Sequence, residues 1–158
     1  MTAYEELLEY AVNEGITVID FELGDKTKGL YCDGIAFINK NCCTAEKFCT
    51  LAEELGHHYT ATSNIVCLDT LEKRKQEQLG RRWGYETILS LERILDAIIE
   101  GYDNLADLAE QLEVTPEYLQ EALVYYGQKH GTSIDYHEHR VIFSDASVIV
   151  HPLLDEAL

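Results

Sequence analysis

Basic residues are scarce in this chain: 12 Lys and Arg stand against 29 Asp and Glu, for a formal net charge of −17. Sequence-independent nucleic-acid binding needs clustered cations to meet phosphates. Anchoring to anionic lipid needs them at the headgroups. The composition argues against both. No apolar run approaches the ~18 residues of a membrane span, and no charged segment followed by an apolar one opens the chain. C-x-x-C pairs are missing too: Cys32, Cys42, Cys43, Cys49 and Cys67 are odd in number and scattered. They make a poor disulfide or metal framework and read instead as small apolar side chains in a reducing, cytoplasmic compartment. Nor is there an internal repeat. What is present is 158 residues, 46% apolar and 26% charged, enough for a real core.

Taken in order, Tyr4, Leu7, Leu8 and Ala11 recur at helical spacing and Asn13-Glu14-Gly15 closes that helix. Residues 16–21 are rich in β-branched side chains and predict a strand. Asp33-Gly34 between apolar runs predicts a hairpin over residues 30–39. Next comes a helix from about Thr44 to Thr60, capped by Asn41 or Thr44, and after a loop (61–69) a long helical pattern from about Leu71 to Gly101. Residues 103–119 predict two short helices joined at Val114-Thr115-Pro116-Glu117, with Thr115 as cap and Pro116 in the first turn. The outline is that of a helix-turn-helix. Its second helix carries no Lys or Arg through Leu123, so a packing or protein-contacting unit is expected rather than a DNA reader. Residues 134–143 and 147–150 read as short strands, which would put His137 and His139 on one face.

The chemistry concentrates in Glu53-Glu54-Leu55-Gly56-His57-His58. In an H-E-x-x-H helix, two histidines one turn apart bind zinc and the Glu between them is general base. Here Glu53 stands where the first histidine belongs. At about 100° per residue, Glu53 and His57 lie on the flank of the apolar stripe formed by Ala45, Phe48, Cys49, Ala52 and Leu55. Such side chains need partners, and a metal would supply them; pairing with each other or reaching solvent are the ordinary alternatives. Glu77, twenty residues after His57, suits a third ligand from the next helix, with Gly80 one turn on allowing close approach. In the alternative register Glu54 and His58 bind the metal and the base is lost. Lys73, Arg74, Lys75, Arg81 and Arg82 place five of the chain's cations within ten positions, as a substrate- or partner-facing patch or as balance for neighbouring acids.

Glu54-Leu55-Gly56-His57 followed by Glu77-x-x-Gly80-x-x-Trp83, with Gly29-Leu30-Tyr31 and Leu51-Ala52 ahead of the motif, resembles the ImmA/IrrE family of phage and mobile-element metallopeptidases. In that family a His-Glu-x-x-His helix precedes a Glu-x-x-Ala-x-x-aromatic-Ala helix, and the resemblance runs from about Gly29 to Gln120. It implies an α+β, zincin-like core: an N-terminal helix, a small antiparallel sheet, a metal helix and a second ligand helix. That core would occupy residues 1–101, with a helical extension carrying short strands over 102–158 packed on it as one unit. It implies a metal-dependent endopeptidase whose protein substrate is a helix-turn-helix transcriptional repressor. Carried over by position, Glu54 is the base, His57 and Glu77 are ligands, and Glu53 replaces the first ligand. Zn²⁺ is the expected metal, and two anionic ligands also suit the harder Mn²⁺. The alternative is an inactive module that keeps the fold and binds the repressor. Tyr85, His137 and His139 are candidates for stabilising the oxyanion.

Overall fold

The computed structural model describes residues 1–60, 70–144 and 147–153. Cys67 and the expected loop over 61–69 lie outside the described residues. The chain divides into two compact units, Met1–Ile88 and Leu89–Leu158.

The first unit opens with α1 (Ala3–Asn13), whose start is fixed by a capping box: the Glu5 N–H donates to the Thr2 hydroxyl and the Thr2 N–H to the Glu5 carboxylate. Three strands follow, β1 (Thr17–Phe21), β2 (Gly29–Cys32) and β3 (Ile35–Asn39), in the spatial order β1-β3-β2. The Asp33-Gly34 hairpin forms as its sequence dictates, both residues taking positive φ (45° and 80°) and pairing Cys32 with Ile35. The sheet is not wholly antiparallel as expected. β1 crosses to the far edge of β3 and runs parallel to it, Ile19 opposite Phe37. Asn39 stabilises the connection that permits this crossing: its buried amide donates to the carbonyls of Gly24 (2.7 Å) and Thr27 (2.8 Å) and accepts from Asn41 N–H.

α2 (Thr44–Thr60) follows. Its first turn is anchored on Cys43 rather than on Asn41 or Thr44. The Lys47 N–H donates to the Cys43 carbonyl, and Glu46 reaches back to accept the Cys43 N–H at 3.0 Å. Leu51, Ala52 and Leu55 are wholly buried, together with Ala36 and Ile38 of β3. Each such Leu contributes about 1.5–3 kcal/mol of hydrophobic stabilisation. This burial fixes which face of α2 is left for the polar residues on its flank. α3 (Thr70–Ile88) completes the unit.

The long helix expected to reach Gly101 is broken. α3 stops at Ile88, and α4 (Leu91–Glu100) starts afresh with Ser90 as N-cap, its hydroxyl accepting the Arg93 N–H at 3.2 Å. α4 belongs to the second unit, with α5 (Leu105–Gln111) and α6 (Pro116–His130). Thr115 caps α6 and Pro116 lies in its first turn, but α6 runs for 15 residues and is not short. Arg93 donates to the Leu112 carbonyl (3.0 Å) and the buried Tyr126 hydroxyl to the Leu89 carbonyl (3.0 Å), tying α4, α5 and α6 together. An antiparallel sheet of β4 (Ser133–Tyr136), β5 (His139–Phe143) and β6 (Val148–Pro152) ends the described chain. Residues 134–143 are therefore a hairpin, not one strand. His137 sits in the turn at φ 52°, so it does not share a strand face with His139.

Candidate metal centre

Two glycines bring α2 and α3 together. A Cβ on Gly56 would lie 2.1 Å from the Gly80 carbonyl oxygen, and one on Gly80 would lie 2.7 Å from His57 Nδ1. Backbone therefore meets backbone, and the side chains one turn either side are drawn into reach. Two pairs of them face each other as successive rungs between antiparallel helices. His57 Nε2 is 3.3 Å from Glu77 Oε2, and Glu53 Oε1 is 3.4 Å from Arg81 Nε.

Glu53, His57 and Glu77 each offer a ligand atom, all within 4.8 Å of one another. Ligands on a tetrahedral ion with ~2.1 Å bonds are about 3.4 Å apart. The His57–Glu77 rung already meets that spacing. One imidazole and two carboxylates form a donor set suited to a divalent ion. His57 is buried at 5% exposure, and its Nδ1 has no hydrogen-bond partner among the described residues. Packing against Gly80 thus sets the ring's orientation, where a ligating histidine usually donates its second N–H to an oxygen.

Glu54, the expected base, is buried at 7% exposure. Burial first, then the charges of Glu53 and Glu77, push its carboxyl up to about 8. Its space comes from β2, since a Cβ on Gly29 would stand 2.9 Å from Glu54 Oε1 and 2.4 Å from the Thr50 methyl. The edge-strand backbone therefore abuts the carboxyl directly.

His58, the ligand of the other register, is turned elsewhere. Its Nδ1 is hydrogen-bonded to the Tyr31 hydroxyl, which also accepts the Gly34 N–H at 2.9 Å. Tyr85 is buried at 5% exposure in α3. His137 and His139 belong to the second unit. The five clustered cations of α3 are all exposed, and Arg81 is turned to Glu53.

Two features escaped the sequence reading. One is the Arg81–Glu53 pair; its only sequence signal was the four-residue step from Glu77 to Arg81, which puts both on one helix face. The other is the Tyr31–His58 pair, which joins residues 27 apart in sequence. Among the described residues no helix is long and apolar enough to cross a membrane.

No curated protein is a significant match to the chain. Residues 11–124 match the family model for the IrrE N-terminal-like domain of the M78 peptidases. With the Glu53, His57 and Glu77 triad, that match points to a metal cofactor. It spans both the hairpin that shapes the Glu54 pocket and the two helices that supply the triad, so the chain, an α+β metallopeptidase-like module, belongs to the M78 peptidase family with an IrrE N-terminal-like domain.

Proposed function

We propose that this protein is a cytoplasmic, metal-dependent endopeptidase that cleaves a helix-turn-helix repressor of a phage or mobile element. The observation that carries the catalytic part is a buried carboxyl, Glu54, on the helix that supplies Glu53 and His57 to a triad, completed by Glu77 of α3, able to hold an ion. Glu53, His57 and Glu77 would hold Zn²⁺, or Mn²⁺ given the two carboxylates. A divalent ion there supplies Lewis acidity and lowers the pKa of water. Glu54 takes the proton from the attacking water, for which its carboxyl must be ionised, and later delivers it to the leaving amine. The repressor as substrate rests on the resemblance of the motifs at Glu54–His57 and Glu77–Trp83 to repressor-cleaving peptidases.

The substitution at Glu53 favours a second reading, a module that binds the repressor without cutting it. Glu54→Gln separates the two. Loss of repressor cleavage with retained repressor binding supports the enzyme; a variant that still clears the repressor from cells refutes it. Metal content of untagged protein is the companion measurement. Stoichiometric Zn or Mn, lost in His57→Ala and Glu53→Ala but kept in His58→Ala, is the expected result.

A further inference from the structure

We propose that Arg81 is a positioning residue for Glu53, holding one carboxylate oxygen and offsetting its charge so that the other can serve as ligand. The inference rests on the metal-site reading above. Its basis is the register of the two helices. His57 to Glu53 is one turn along α2, Glu77 to Arg81 is one turn along α3, and the helices run antiparallel. Arg81 therefore occupies, opposite Glu53, the place that Glu77 occupies opposite His57. The Nε contact is to Oε1 of Glu53, at 3.4 Å.

Charge supplies the reason. A carboxylate in the first-ligand position puts two anions, Glu53 and Glu77, within 4.8 Å of one another and of His57. A histidine there would add no anion and would need no counter-cation. A guanidinium is permanently charged and planar, so it can both neutralise and orient a carboxylate. Stability does not account for the pair: Arg81 is 50% and Glu53 30% exposed, and ion pairs this exposed add little.

The test is Zn²⁺ affinity, by competition with a chromophoric chelator, for the wild type, Arg81→Leu, Arg81→Lys, Glu53→His and the Glu53→His/Arg81→Leu double variant. Removing a cation near a metal site by charge alone would tighten Zn²⁺ binding in either background. If Arg81 positions Glu53, Arg81→Leu weakens binding about tenfold or more, as loss of an orienting partner does. Arg81→Lys recovers part of that loss. In the Glu53→His background the imidazole has nothing for Arg81 to hold, and Arg81→Leu leaves affinity unchanged or tighter. The metal-free melting temperature stays at the wild-type value in Arg81→Leu. Equal effects of Arg81→Leu in both backgrounds, tighter binding in the Glu53 background, or a large drop in metal-free melting temperature would each overturn the inference while leaving the metal site intact. A wild type that binds no Zn²⁺ or Mn²⁺ overturns both.

Discussion

Gly56→Ala is the sharpest perturbation the helix pair allows. The added Cβ would stand 2.1 Å from the Gly80 carbonyl oxygen, 2.7 Å from its carbon and 2.9 Å from Gly80 Cα. All three are helix backbone, so no rotamer relieves the overlap. A carbon and a carbonyl oxygen sit about 3.3 Å apart or more, which asks the helices to separate by roughly 1.2 Å. Overpacking of this kind costs about 1–3 kcal/mol, against about 0.8–1 kcal/mol gained from alanine's helix propensity. A net loss of up to about 2 kcal/mol lowers the melting temperature by up to roughly 8 °C for a chain of this size. The same opening widens the 3.3 Å His57–Glu77 rung, so metal affinity falls as well. Calorimetry and chelator competition read the two effects separately. Gly127→Ala in α6 is the control. Its Cβ meets nothing closer than 3.4 Å, and the variant melts at or above the wild-type temperature. A Gly56→Ala protein with wild-type melting and metal affinity would refute the idea that this contact sets the site.

Other consequences are open to direct measurement. In metal-free protein the Glu54 carboxyl, pushed up from 4.5 to about 8, holds its proton more tightly folded than unfolded. The stability it confers is therefore full below about pH 4.5 and is lost as pH rises through about 8. In chelator, thermal melts from about pH 5 to about pH 9 should fall for the wild type relative to Glu54→Gln, and parallel curves would contradict the burial of Glu54. Thr115→Ala removes the α6 cap, whose hydroxyl accepts the Tyr118 N–H at 3.2 Å, and should cost about 1 kcal/mol in urea unfolding. Tyr126→Phe deprives the Leu89 carbonyl of its buried donor and should cost about 1–2 kcal/mol, with no change in Zn²⁺ affinity.

The local chemistry of the first unit was legible because its signals are local. Helical spacing gave α1 and α2, Asp33-Gly34 gave the hairpin, and the step from His57 to Glu77 put two ligand candidates on consecutive helices. What could not be read depends on competition between elements or on tertiary partners. The α3–α4 break at Ser90 was hidden because Ile88, Leu91, Leu95 and Ile98 keep an apolar rhythm across it. A serine hydroxyl that can cap a helix can also sit within one. The β4–β5 turn carries His137 at positive φ without the glycine that normally marks such a position. The parallel placement of β1 follows from a crossing stabilised by Asn39, a single side chain with three hydrogen bonds to residues up to 15 positions away. Glu53 could be recognised as out of place in its motif. That Arg81 answers it required the helix register.

Gly29 lies outside the two helices that supply the triad, yet it forms a wall against the Glu54 carboxyl. A single base change that gives it a side chain would crowd the carboxyl while leaving every letter of Glu53–His57 and Glu77 intact. Loss of function in such lineages would leave a pseudoenzyme that motif searches still score as whole. Judging whether a member of this family is alive therefore means reading the edge strand as closely as the metal helix.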